Sequence, residues 1–149
     1  MPETTVKSLE LTLSAPIASF GTSPRMQHRF TQSDPPHSAV VGLIACAMGL
    51  GRDDNFDELR SIKLNIKSVT HGQPFIDFQT VQNAVTVDGT PGRNSITYRH
   101  ALPDYLAIVE ISGEENLIDR IKAALQRPVW QLYLGRRSNV LSAPVVPFF

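Results

Sequence analysis

The stretch Ala39–Leu50 (AVVGLIACAMGL) constrains this chain more than any other, because it is apolar on every side and carries no charged residue. A helix that is hydrophobic all round has to be covered all round. At twelve residues it is too short to cross a bilayer, which takes about 20. It is therefore expected to lie buried against a sheet, with Gly42 and Gly49 allowing close approach. Ser38, following Pro35-Pro36, is the expected N-cap, and Gly49 and Gly51 close the helix.

The flanking segments supply the sheet. Leu9, Leu11 and Leu13 alternate with polar residues and predict a strand near Lys7–Ser14. Ala15 to Pro36 is rich in Gly, Ser, Thr and Pro and reads as loop. Asn55–Arg60 reads as a short polar helix or turn, and Ile62, Leu64 and Ile66 begin a second strand that reaches about Val69. After the turn His71–Pro74, Phe75–Gln82 can extend. Val85–Val87 and Ser95–Tyr98 flank Asp88-Gly89-Thr90-Pro91-Gly92, a hairpin signal. Pro103 is expected to interrupt, with Tyr105–Ile111 as a strong strand beyond it. In Glu114–Gln126 the residues Leu117, Ile118, Ile121 and Leu125 form one apolar stripe, stopped by Pro128. Trp130–Leu134 reads as a last short strand. Leaving the hairpin aside, the order is strand, helix, strand, strand, helix, strand. That is the split βαβ, ferredoxin-like (RRM-like) α+β arrangement. It implies a single ferredoxin-like domain over 1–149, a hairpin insertion at 79–99, and a proline-containing apolar tail at 139–149.

At 149 residues with 42% hydrophobic content, the chain is sized for one modest core. No apolar run is long enough to span a membrane, and the polar start MPETTVKSLE is not expected to act as a signal peptide. The one cysteine, Cys46, excludes an internal disulfide and reads as a buried, inert thiol, which fits a cytoplasmic protein. Formal net charge is zero, but the charges are segregated. No acid follows Asp119, while Arg120, Lys122, Arg127, Arg136 and Arg137 do. Arg93, Arg99 and His100 likewise lie in an acid-free stretch, and Asp53, Asp54, Asp57 and Glu58 crowd together. Ten of the 14 bases are arginine, the side chain whose planar fork suits phosphate.

Catalytic chemistry has few candidates. His28, His37, His71 and His100 lack metal-ligand spacing, so no metal or other cofactor is expected. Gly49-Leu50-Gly51-Arg52 is a helix end rather than a phosphate loop. Asp53-Asp54 fits a solvated cluster at a helix start. Tyr98, Arg99 and His100 beside Arg93 are the types that could cleave RNA without metal. On a strand, Tyr98 and His100 share one face and Arg99 takes the other, an arrangement that suits binding to phosphate and base. Gly135-Arg136-Arg137-Ser138 after a strand offers backbone N–H groups, two guanidiniums and a hydroxyl to phosphates.

Taken in order, several segments resemble the CasD family, the guide-RNA 5′-handle-binding subunit of type I-E CRISPR Cascade. They are Leu11–Pro16 with Ser19-Phe20-Gly21, Arg29, Pro36–Leu43, Gly51–Asp54, Asp77–Val81, Tyr98-Arg99, and Pro128 with Tyr133–Ser138. The resemblance runs from about Leu9 to Pro144. It implies a ferredoxin-like palm and a projecting hairpin thumb at about Gln79–Arg99, together holding the 5′ handle of the CRISPR RNA. The implied partners are that RNA and the backbone and large subunits of Cascade, with target DNA met indirectly. The handle-binding surface maps to the Pro16–Arg29 loop, the helix start and the final turn. The expected RNA-binding residues are therefore Ser19, Phe20, Gly21, Arg25, Arg29, Ser38, Gln79, Thr80, Arg93, Tyr98, Arg99, His100, Gly135, Arg136, Arg137 and Ser138.

In the resembled branch another subunit processes the RNA, which implies no catalytic residue here. A related branch does cleave, so a metal-independent endoribonuclease using His100 is the alternative, beside a ferredoxin-like protein-interaction module. Family members usually continue past the Gly-Arg-Arg-Ser turn with further strands, and the usual cysteine after its serine is Asn139 here. A partner is accordingly expected over Val145–Phe149.

Overall fold

The computed structural model describes residues 3–22 and 27–147; Arg25, Phe148 and Phe149 lie outside them. The fold is α+β and ferredoxin-like, organised on one long strand. β1 (Val6–Ala18) pairs antiparallel with β7 (Ser95–Glu114), and β5 (Lys63–Thr70) pairs antiparallel with the other edge of β7. Leu11, Leu13 and Ala15 of β1 alternate inward with Ala107, Val109 and Ile111 of β7, all of them buried. α1 (His37–Met48) and α3 (Glu115–Gln126) pack into the same core. The stripe Leu117, Ile118, Ile121 and Leu125 is buried as the spacing predicts, each side chain contributing about 1.5–3 kcal/mol of burial. α2 (Asp57–Arg60) is a single turn before β5. Among the described residues no helix is long and apolar enough to cross a membrane.

Several boundaries differ from expectation, each for a physical reason. β1 continues through Pro16 to Ala18, so half of the supposed loop start is strand. Pro16 is tolerated because the register steps from Ala15↔Tyr105 to Ile17↔Pro103 and passes over it. Pro103 likewise does not interrupt β7. Its carbonyl accepts the Gly72 N–H at 2.8 Å, and Asp104 beside it takes φ 49. There β7 exchanges its partner β5 for β6 (Phe75–Val81). Within the remaining loop lie β2 (Phe20–Gly21) and β4 (Thr31–Gln32), paired with each other, and β3 (His28–Arg29).

α1 starts two residues earlier than predicted. Its N-cap is Pro36, without a side-chain cap bond, and Ser38 stands in the first turn. The expected stop holds: Gly49 is left-handed at φ 76, and the N–H groups of Gly49 and Leu50 close on the carbonyls of Cys46 and Ala45. α1 is not covered all round. Gly42 is exposed, and nothing lies within 4 Å of a Cβ added there.

The arms of the hairpin are β6 and Ser95–Ala101 of β7, not Val85–Val87. Val85 makes only an isolated bridge to Pro91, so the paired root begins at Phe75 and residues 82–94 form its loop. Trp130–Leu134 is not a strand; Tyr133 has one bridge, to Val140. The edge of β1 is taken instead by the tail. Thr12 N–H donates to the Val145 carbonyl at 3.0 Å and Ser142 N–H to the Ser14 carbonyl at 2.8 Å. Val145 and Val146 are buried by the chain's own core, not left for a partner to cover.

Candidate nucleic-acid interface

The upper half of β7 carries a second small sheet. β3 runs parallel to it with His28↔Tyr98 and Arg29↔Arg99 as register partners. β6 runs antiparallel on the other side with Asp77↔Arg99 and Phe78↔Tyr98. Side chains in one cross-strand row leave the same face, and adjacent rows leave opposite faces. One face therefore presents the row Arg29, Arg99 and Asp77. The other presents His28, Tyr98 and Phe78, with His100 two residues along.

Arg136 joins the arginine face from the last turn. Partial burial holds its guanidinium below the usual arginine range, the neighbouring charges of Arg99 and Arg29 push the same way, and Asp77 opposes them. Three guanidiniums thus share one carboxylate. None of the three forms an ion pair among the described residues, and Arg99 Nε is buried without a hydrogen-bond partner. Close like charges in a partly desolvated site repel. A phosphate placed among them supplies the missing negative charge and accepts their hydrogen bonds.

Gly135 makes this possible. It is left-handed at φ 89, and an added Cβ would sit 1.5 Å from the Ser19 carbonyl oxygen. The turn closes through Asn139, whose buried side-chain amide donates to Ser19 Oγ at 2.9 Å and to the Leu134 carbonyl at 3.0 Å. Ser19 and Phe20, expected to touch RNA, have buried side chains. Phe20 packs edge-on against Tyr105 at 5.5 Å, the usual fate of an aromatic at a strand end beside a core. Ser19 fixes the turn, and Phe20 packs into the core while lining the groove beside it.

The remaining expected residues divide. Gly21, Ser38 and Gly135 line one groove, with Gly42, Cys46 and Tyr133, of about 280 Å³. It shares Gly42, Cys46 and Tyr133 with a larger cleft of about 670 Å³ that includes Arg137. Gln79 donates to Asp77 at 2.7 Å on the arginine face. Thr80 is exposed on the opposite face, and Arg93 lies exposed in the loop beyond the paired arms. Ser138 is exposed in the last turn.

Sequence reasoning missed His28 and Phe30. His28 stacks on Tyr98 at 4.8 Å with planes 11° apart. Phe30 lies 4.7 Å from His100, and Phe78 lies 5.4 Å from Tyr98. Phe78 is 55% exposed and Phe30 38%, so this is an aromatic face left open. The alternation His28-Arg29-Phe30 was the available signal: period two puts Arg29 on one face and both rings on the other. His100 Nε2 is buried without a partner. Among the described residues no group of three potential ligands could hold a metal ion.

The chain as a whole is similar to solved structures. One belongs to a CRISPR RNA-guided surveillance complex: it is 28% identical, superposes with a TM-score of 0.83, and is matched over 94% of this chain and 62% of that one. A crystal structure of a Cas protein is 29% identical, with a TM-score of 0.70 over 95% of this chain and 63% of that one. The chain thus spans less than two thirds of the length of either. No curated protein matches it. The pattern of the family described as CRISPR-associated protein (Cas_Cas5) matches residues 8–148, and the chain belongs to that family.

Proposed function

We propose that this chain is a non-catalytic, RNA-binding subunit of a Cascade surveillance complex of the type I-E branch. It grips the repeat-derived 5′ handle of the CRISPR RNA in the cytoplasm, caps the backbone with the backbone and large subunits as its protein partners, and meets target DNA only through the assembly. The observation that carries this reading is the convergence of Arg29, Arg99 and Arg136 around a single carboxylate, Asp77. Such a site is electrostatically incomplete until an anion enters, and a kinked RNA backbone brings two or more phosphates at once. The likeness to a chain of an RNA-guided surveillance complex supports RNA as the source of those phosphates.

A second reading, cleavage of repeat RNA, has one observation in its favour: His28, Tyr98 and His100 gather on one face. Binding is preferred because Arg29 and Arg99 leave by the opposite face. The base-like groups and the cations that would steady a developing oxyanion are therefore on different sides of the strand.

Purifying the chain with its associated subunits and sequencing the bound nucleic acid tests the proposal. A short RNA with a fixed, repeat-derived 5′ end is expected. Recovery of the assembly without RNA, or of RNA with scattered 5′ ends, overturns it.

A further inference from the structure

We propose that the cleft beside the C-terminal half of α1 is a nucleobase-binding site for single-stranded RNA, with Trp130 as its stacking surface. The inference rests on the RNA-binding reading above and adds a site to it. The cleft encloses about 670 Å³, inside the roughly 300–1,000 Å³ typical of sites for small organic ligands. Gly42, Ala45 and Leu50 give it an apolar side, while Phe56, Trp130 and Tyr133 bring aromatic rings to it. Arg52 and Arg137 also line it, and neither forms an ion pair among the described residues.

Aromatic faces beside unpaired guanidiniums are the two components of single-strand recognition: rings stack on bases, and cations follow the backbone. The two arginines complement an RNA strand and give an apolar or basic peptide nothing to pair with. Gln131 adds an amide able to read a base edge. Trp130 is 50% exposed and Val129 63%, so the ring's surface is open to a ligand.

The position of the cleft links it to the phosphate site. It shares Gly42, Cys46 and Tyr133 with the groove that runs past Ser38 to Gly135. Next to Gly135 in the chain, Arg136 feels the charges of Arg29 and Arg99, while Arg137 lines the cleft. Consecutive arginines of one turn thus serve two sites. A strand whose phosphates are held at the first therefore meets the second through the same turn, Arg136 serving one site and Arg137 the other.

Trp130 is the chain's single tryptophan, so its own emission reports on the site. The test titrates the full chain with a short fluorescein-labelled single-stranded RNA bearing the repeat-derived 5′ handle, following label anisotropy and tryptophan emission together. Quenching that tracks the anisotropy is expected. Trp130→Ala should weaken binding about tenfold or more without changing the slope of affinity against salt, since no cation is removed, and Trp130→Phe should recover most of it. Circular dichroism confirms that each variant is folded. If RNA binds while Trp130 emission stays constant and Trp130→Ala binds like the parent chain, the base site is overturned and the RNA-binding reading stands. If Trp130→Ala keeps its RNA affinity but loses a protein subunit from the assembly, the cleft is a protein-docking site and the inference again fails. If the parent chain gives no anisotropy change, both readings fall.

Discussion

Arg29 and Arg99 are register partners across the parallel β3–β7 ladder, so two cations leave the sheet side by side on one face. Arg136 feels both charges, and Asp77 in the same row balances only one. Replacing Arg29 or Arg99 with alanine should weaken RNA binding and reduce the slope of log affinity against log salt by about 0.7 for each phosphate left without its cation. Arg136→Gln should lower the slope likewise while changing the stability of the free chain by less than about 0.5 kcal/mol, because one of three mutually repelling charges is removed. Salt titrations of binding, with thermal melts of the free variants, check both halves. An unchanged slope in all three variants removes the phosphate site.

Gly135 tolerates no side chain. A Cβ there would stand 1.5 Å from the Ser19 carbonyl oxygen, in a backbone conformation of φ 89 that L-residues rarely adopt. Gly135→Ala must push the turn away from Ser19, costing at least about 2–3 kcal/mol and displacing Arg136 from the charges of Arg29 and Arg99. The same substitution at Gly42, where nothing lies within 4 Å, should leave the melting temperature unchanged or slightly raised, since alanine is the better helix former. Denaturant titrations compare the two directly; equal stabilities would contradict the close approach at Gly135.

How far the sequence announced this structure depends on the range of each signal. The α3 stripe and the left-handed close of α1 at Gly49 were legible because periodicity and capping act within a few residues. Pro103 misled for the same reason: a local breaker was overridden by tertiary pairing, with β1 on one side of β7 and Gly72 supplying a donor on the other. The tail's place on β1 was not legible because its pairing, Thr12 with Val145 and Ser14 with Ser142, joins residues more than 120 positions apart and leaves no local pattern. Of the site, Arg99 and Arg136 were identified as residues but not as neighbours. Arg29, likewise expected at the site, reaches Arg99 through a two-residue parallel ladder, and Arg136 comes from one glycine turn; neither leaves a periodic trace. His28 and Phe30 were readable in principle, yet they lay inside a segment whose Gly, Ser and Pro content suggested only loop.

The loop between the hairpin arms should be dispensable for folding. Pairing of β6 with β7 ends at Val81↔Ser95, and the bonds found beyond it stay within the loop. Thr86 N–H donates to the Thr90 carbonyl at 3.1 Å, Gly89 N–H to the Thr86 carbonyl at 2.9 Å, and Asn83 N–H to Asn94 Oδ1 at 3.2 Å. Val87 is fully exposed. Shortening Asp88–Asn94 to a tight turn should move the melting temperature by no more than about 4 °C, the equivalent of under about 1 kcal/mol, while impairing placement of the guide RNA or binding of the target. A variant that unfolds would make the loop structural.

Tyr105 gives the fold an alkaline limit. Burial, reinforced by Asp34, raises its hydroxyl well above the ordinary value of 10.0, and the group donates to the Ser33 carbonyl at 2.8 Å. In the unfolded chain it ionises near its ordinary value, so above that pH the native state binds the extra proton. Stability from this residue is therefore complete below about pH 10 and falls as pH rises further, at up to about 1.4 kcal/mol per pH unit. Tyr105→Phe should cost about 1–3 kcal/mol at neutral pH through the unpaired carbonyl and flatten the alkaline limb. Denaturant titrations at pH 8 and above pH 10 measure this; parallel losses in both proteins would show that other groups set the limit.

The cluster on the aromatic face decides whether the chain cuts RNA. Metal-free cleavage needs a base within reach of a 2′-hydroxyl, an acid for the leaving oxygen, and a cation at the phosphate. His28, Tyr98 and His100 supply the first two types, with His28 and His100 6.1 Å apart and His28 stacked on Tyr98. The neighbouring arginines Arg29 and Arg99 leave by the other face, and Phe30 and Phe78 flank the cluster instead. Rings in that arrangement suit stacking against a base better than stabilising charge on a phosphate. The full chain incubated with unprocessed repeat RNA in chelator should therefore retain the RNA intact, and His100→Ala should change affinity without changing the RNA's length. Site-specific cleavage that disappears in His100→Ala would make the face an active site and place the endoribonuclease reading ahead of the binding one. It would also require a cation to reach the aromatic face from outside the β3–β7–β6 sheet, which an arginine scan over the exposed loop at 82–94 would locate.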